Sequence, residues 1–339
     1  MTIFVFLLVA GMLLGAGAML APALRTSAPY IGLAAVLCLA LILGGATLWT
    51  YLVAWDMLVF DYIIFGLMAF VVLGGTLADA QTRAEAQGTT LDDADMGWLS
   101  RRDLLLLLVG GALVVGRLLL LPPVSAVTAA DISPLLAGTW SPADALASPP
   151  TAAYLFLTAY LSDRLGQAPM IVASGINGAL LWVLAWALYD AGTAVRDRDF
   201  GLSLMLVLIG VSVILPPWSY GASGPDMLLS AVFGLAFVHL AYLTPPTRLH
   251  TVLAGIMLGA VVLSDVWLAL VLGCVYGVSM ARAAHPAWRW LSVLVIALVA
   301  TVPYTRHWVH LSPPTWQTLI VLVVYTLVVA LIVRGISPR

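Results

Sequence analysis

The chain has 339 residues, of which 63% are hydrophobic and only 9% charged, with a formal net charge of −2. No soluble core buries that much apolar surface beneath a surface polar enough to dissolve, so soluble classes are excluded and a polytopic membrane protein is expected. The basic residues are all arginine, no basic run suits nucleic acid, and Cys38 and Cys274 both lie inside apolar runs, which argues against a disulfide or metal framework.

In chain order, apolar runs of roughly 16–22 residues predict spans at 3–22, 29–51, 57–78, 103–121, 169–189, 200–215, 227–243, 250–263, 266–281, 289–304 and 315–333. Helices are the expected element, because in hydrocarbon each backbone group must be paired within its own segment. The first run lacks a positively charged start and is followed by Arg25. That pattern favours a retained span with its N-terminus outside over a cleaved signal peptide. The polar segment 79–102 reads as a cytoplasmic surface linker. It divides the chain into an N-terminal three-span unit (1–78) and an eight-span unit (103–339). The latter carries a long extracytoplasmic loop at 122–168.

Within that loop, the apolar stretch 151–162 is too short to cross a bilayer and reads as an amphipathic helix lying in the interface. Arginine placement supports this. With 151–162 flat, Arg25, Arg83, Arg101, Arg102, Arg196, Arg198, Arg248, Arg282, Arg289, Arg334 and Arg339 share one side, whereas only Arg164 and Arg306 fall on the other. The positive-inside rule then selects about eleven spans, N-terminus outside and C-terminus cytoplasmic. The expected fold class is an all-α polytopic membrane protein with an added juxtamembrane helix, in a membrane of the bacterial cytoplasmic (inner) type. In this topology Asp56, Asp131, Asp144, Asp163, Asp226 and Asp265 gather on the outer face.

Several residues carry chemistry. Asp131, in Ala-Ala-Asp-Ile-Ser-Pro, offers a carboxylate at the membrane surface, suited to act as general base for an acceptor hydroxyl or amine. Asp-Ile-Ser-Pro is also an ordinary helix N-cap. Ser148-Pro149-Pro150 is a rigid entry into the following helix. Asp226 opens a span after a Pro- and Gly-rich turn, with Trp218 and Tyr220 as a sugar- or lipid-facing wall or part of an interfacial aromatic belt. Arg306, His307 and His310 form the most basic outer patch, fit for a phosphate or for lipid headgroups. Two histidines without a third ligand do not make a zinc site. Asp61 and Arg117 are intramembrane ionisable residues, near enough to the outer surface to snorkel.

The order of these features resembles the GT-C superfamily of membrane glycosyltransferases, which includes the protein O-mannosyltransferases and aminoarabinose transferases. The resemblance runs over 103–281. It comprises a first span, then Asp131, then Ser148-Pro149-Pro150-Thr151-Ala152-Ala153-Tyr154, the Gly224-Pro225-Asp226 turn, and a small-residue helix from Ala254 to Ser264. It implies sugar transfer from a polyprenyl-phosphate-type donor to an extracytoplasmic acceptor. On it, Asp131 is the catalytic carboxylate, and Arg306, His307 and His310 hold the donor phosphate. Ser148, Tyr154, Trp218, Tyr220 and Asp226 line the substrate cavity. No nucleotide cofactor is implied, and a divalent metal is compatible with the superfamily although the residues establish none. The chain departs from the pattern where two adjacent acids become Asp131-Ile132 and where the family's histidine becomes Ser148. Those departures support an alternative: a catalytically inactive GT-C-like subunit of a larger membrane complex, docking through residues 3–78. Gly11, Gly15, Gly17, Gly44 and Gly45 would permit close helix approach there. A transporter, with Asp61 and Arg117 on its pathway, is the third reading.

Overall fold

The computed structural model describes residues 1–24, 30–86, 101–120, 129–140, 149–214, 226–244, 247–282, 287–301 and 323. Inside its helices the side chains of 75–86, 101–104, 106–107, 117, 120, 129–131, 149–152, 213–214, 226–227 and 287 lie outside the description. Every described element is helical. The first half comprises α1 (Thr2–Leu20, running into a 3-10 turn, Ala21–Leu24), α2 (Ile31–Leu52), α3 (Met57–Ala86), α4 (Arg101–Leu120), α5 (Ala129–Leu136) and α6 (Pro149–Leu165). The second comprises α7 (Pro169–Val195), α8 (Arg198–Ile214), α9 (Asp226–Val238, continued by a π-helical turn, His239–Leu243), α10 (Arg248–Ser264), α11 (Val266–Arg282) and α12 (Ala287–Val299).

Four described helical segments are long and apolar enough to cross a membrane by length and composition: Thr2–Leu24, Ile31–Leu52, Met57–Gly74 and Pro169–Val195. Leu228–Leu243, Arg248–Ser264, Val266–Arg282 and Trp288–Val299 are shorter. At 1.5 Å per residue each reaches about 26 Å or less, short of a hydrocarbon core of roughly 30 Å. The expected span 315–333 lies outside the described residues, apart from Val323.

Helix bounds depart from the apolar runs where polar residues are good helix formers. Helix α3 continues through Leu-Ala-Asp-Ala-Gln-Thr-Arg-Ala-Glu-Ala into the segment expected to be linker. Loss of hydrophobicity ends a span, but Ala, Gln, Arg and Glu sustain the helix. Helix α7 likewise runs six residues past its expected end and carries Asp190 inside it.

The core is built on α7 and α2, whose most apolar stretches are 89% and 78% buried, whereas that of α3 is 17% buried and peripheral. Helix α1 packs on both α2 and α7, so the first two helices of the N-terminal unit are part of this core. Glycine marks the closest crossings. A Cβ on Gly17 would stand 2.6 Å from the Ile31 carbonyl oxygen of α2, and one on Gly192 of α7 would stand 2.6 Å from the Gly201 Cα of α8. Gly11 and Gly15 instead face open space, and Gly44 and Gly45 meet only side-chain methyls of Leu263 and Ile63.

Helix α2 starts without a cap of its own, since no side chain of Tyr30 serves it. Its cap comes from α7: the Leu33 N–H donates to Oδ2 of buried Asp190 at 2.9 Å. A carboxylate there satisfies an orphan amide and complements the positive end of the helix dipole. Asp190→Ala strands that amide in the interior and is expected to cost about 2 kcal/mol, whereas Asp190→Asn retains an acceptor oxygen and loses less than half as much. Thermal unfolding of the two variants in one detergent checks this. The same end of the bundle holds His239, edge-on to Tyr30 at 4.6 Å, and His250, whose Nε2 lies 2.9 Å from the Leu24 carbonyl oxygen.

Candidate functional site

The opposite end of the bundle carries the loop helices. It begins at the α2–α3 turn, where the Leu58 N–H donates to Oδ1 of Asp56, which thereby caps α3. Helix α5, bearing Asp131, packs on α6, and α6 packs on α2, α7 and α10. Because α9 ends at His239 against Tyr30, its first residue, Asp226, belongs to this same end. Thus the helices of Asp131, Tyr154 and Asp226 converge there.

The N-cap expected of Asp131 is corrected by the start of α5 at Ala129. Ala129 and Ala130 are strong helix formers and begin the helix early, which puts Asp131 in its first turn. An acid at that place still favours the dipole. At its other end α5 closes with Gly138 at φ +67°, the left-handed geometry that glycine adopts without strain. The Thr139 N–H donates to the Pro134 carbonyl and the Gly138 N–H to that of Leu135, the paired bonds of a Schellman cap. Helix α6 ends in the same way at Gly166, with Gln167 donating to Ser162 and Gly166 to Asp163.

Helix α6 occupies the position expected of the flat helix, but it is not amphipathic in its surroundings. Ala153, Tyr154, Phe156, Leu157, Thr158, Ala159, Tyr160 and Ser162 are all buried, so nearly every face is enclosed by protein. Tyr154, expected on a cavity wall, is fully buried on α7, with its hydroxyl 2.9 Å from the Ala173 carbonyl oxygen and 2.8 Å from the Asn177 amide oxygen. One hydroxyl proton serves one acceptor, so the Asn177 amide turned to present its N–H completes the pair. Tyr154 therefore anchors α6 to α7.

Asp61, expected to snorkel, is paired. Its Oδ1 accepts the Tyr160 hydroxyl at 2.7 Å, and its Oδ2 is bound by the Arg164 guanidinium, which also lies over the Tyr160 ring. Burial, then the hydrogen bond and charge of Asp61, push the Tyr160 hydroxyl up to about 12, which keeps it a donor. Asp265 caps α11 by accepting the Leu268 N–H at 3.0 Å. Burial raises its carboxyl pKa against the lowering effect of the Leu268 and Trp267 amides.

An aromatic cluster fills the space between the turn and the loop helices. Trp55 stacks on Phe156 at 4.8 Å, Phe60 stacks on Tyr160 at 5.0 Å, and Trp140 stands edge-on to Phe156 at 5.1 Å. The Trp55 Nε1–H donates to the Leu135 carbonyl at 2.9 Å. Neither this cluster nor the Asp61–Arg164 pair was legible beforehand; the only signal was an aromatic and an acid on either side of a predicted turn. Ser148, Trp218, Tyr220, Arg306, His307 and His310 lie outside the described residues, as do the side chains of Arg117, Asp131 and Asp226. Among the described residues no group of three His, Cys, Asp or Glu side chains is placed to hold a metal ion.

Comparison with protein-family models, curated proteins and solved structures finds no match to this chain.

Proposed function

We propose that the chain is a membrane glycosyltransferase of the GT-C type, moving a sugar from a polyprenyl-phosphate-type donor to an extracytoplasmic acceptor. The observation that carries this reading is the gathering of α5, α6 and the start of α9 at one end of an all-helical bundle. The helices that carry Asp131, the Pro149-Pro150 entry and Asp226 follow one another in the order that the sequence resemblance implies. In this reading Asp131 takes the proton of the acceptor hydroxyl as its oxygen bonds to the anomeric carbon. The bond from that carbon to the donor phosphate oxygen breaks, and the phosphate leaves with the electron pair. Arg306, with His307 and His310, neutralises the leaving charge.

The catalytically inactive subunit is the second reading, and the outer face of α3 offers it a surface for docking. Tyr62, Phe65, Phe70 and Leu73 are exposed along that helix, a surface that lipid or another membrane helix would cover.

Purification from the native membrane in mild detergent, with mass spectrometry of bound lipids and proteins, separates the two. The transferase reading expects a polyprenyl-phosphate species bound to the chain alone, and turnover when a polyprenyl-phosphate sugar is supplied. Stoichiometric recovery inside a larger assembly without such a lipid would overturn it in favour of the subunit.

A further inference from the structure

We infer that Trp55 of the α2–α3 turn and Asp61 near the start of α3 are positioning residues that clamp the Asp131 helix and its neighbour α6 onto the bundle. The catalytic half of this inference rests on the transferase reading; the clamp itself does not.

Helix α5 has eight residues with Pro134 inside it. A helix of that length is not stable alone, since isolated helices need about 12–15 residues even with favourable sequences. Its place must come from contacts. Ile132 and Leu135 bury one face, but the hydrophobic effect that holds them is non-directional. A hydrogen bond is directional, and one such bond reaches α5 from the N-terminal unit, the Trp55 indole N–H to the Leu135 carbonyl. That carbonyl already accepts the Gly138 amide, so the indole takes its second lone pair. The bond therefore fixes the C-terminal end of α5 in both height and rotation, four residues after Asp131. The indole is itself held flat on Phe156 of α6.

The far end of α6 is held from the same stretch of chain. Six residues beyond Trp55, Asp61 binds both Tyr160 and Arg164, while Phe60 stacks on Tyr160. The turn thus grips α5 through Trp55, and the start of α3 grips the last turns of α6 through Asp61. This gives residues 1–78 an intramolecular task. Helices α1 and α2 are built into the core, and the hairpin of α2 and α3 presents its turn to the loop helices.

The test uses the full chain in lipid nanodiscs. Trp55→Phe keeps the ring and removes the N–H; Asp61→Asn keeps an acceptor for Tyr160 and removes the ion pair. Tyr154→Phe, which loses a buried hydroxyl bond between α6 and α7, is the control. Amide hydrogen exchange over 132–140 is expected to quicken about tenfold in Trp55→Phe, the size of effect one lost hydrogen bond has on a local opening. It is expected to stay at the wild-type rate in Tyr154→Phe. Asp61→Asn is expected to quicken exchange over 160–167. Unchanged exchange in both Trp55→Phe and Asp61→Asn overturns the clamp. With a synthetic polyprenyl-phosphate mannose as donor, Trp55→Phe is expected to lower kcat about tenfold at an unchanged donor KM, the mark of a misplaced base. Faster exchange with an unchanged kcat overturns the positioning role. Faster exchange with no turnover even in the wild type upholds the clamp and overturns the transferase reading beneath it.

Discussion

Gly32→Ala is expected to prevent assembly of the native bundle or to destabilise it by about 3 kcal/mol. A Cβ at that position would lie 2.4 Å from the Trp186 carbonyl carbon, 2.5 Å from the Ala187 nitrogen and 2.7 Å from the Trp186 carbonyl oxygen. All three are backbone atoms of α7, the most buried helix, and no rotamer change moves them. Relief requires α2 and α7 to part by about 1 Å, because close-packed interiors give little. The neighbouring residue makes that separation costly. Leu33 donates to Asp190 across the same crossing, and an added ångström breaks a 2.9 Å bond between buried partners. The contrast with Gly110 is instructive, since its added methyl would come closer still, 1.9 Å, but to the rim of the Trp182 indole. Gly11→Ala is the negative control: nothing lies within 4 Å of it, and replacing a helical glycine there is expected to be neutral or to stabilise by up to about 1 kcal/mol. Size-exclusion profiles and melting temperatures of Gly32→Ala and Gly11→Ala in a common detergent decide it. Equal stability of the two would show that the α2–α7 crossing is looser than this geometry states.

The sequence reading located most helices because an apolar run bounded by charge or proline marks a span whatever it packs against. The runs at 266–281 and 250–263 became Val266–Arg282 and Arg248–Ser264, with a difference of one or two residues at the ends. The reading was weaker where a helix outlives its hydrophobicity, as at the end of α3, because composition marks the membrane and propensity marks the helix. It missed Asp190 altogether. An acid just past an apolar run reads as the edge of a span, and nothing local says that it caps a helix 157 positions away in sequence. Asp61 was visible as an anomaly but not as a partner, since Arg164 lies beyond a loop that no periodicity resolves. The glycines show the same limit. Gly11, Gly15 and Gly17 looked equivalent, yet only Gly17 is spent on a helix crossing. Which face of α1 meets α2 is decided by the whole bundle.

On the transferase reading, Asp131→Asn is expected to lower sugar transfer by at least about 100-fold while leaving the fold intact, because a positioned general base contributes roughly 10²–10⁴-fold. The place of Asp131 in the first turn of α5 makes this variant discriminating. Losing the charge there forfeits its interaction with the helix dipole, worth about 0.5 kcal/mol, which is too little to dissolve a helix held by Ile132, Leu135 and the Trp55 bond. Asparagine keeps the volume and an acceptor oxygen but cannot take a proton from an acceptor hydroxyl at neutral pH. Structure and chemistry therefore part company: melting temperature and bound polyprenyl-phosphate should stay near wild type while turnover falls. Asp226→Asn, at the first turn of α9, makes a matched charge loss at the same end of the bundle and is expected to cost far less turnover, since the reading gives Asp226 a place in the cavity and no proton to move. Equal loss in both variants would mean that the acidic end acts through its overall field and that Asp131 is not the base. Full activity in Asp131→Asn would reduce that residue to a helix-dipole contact and leave the inactive-subunit reading as the one to pursue.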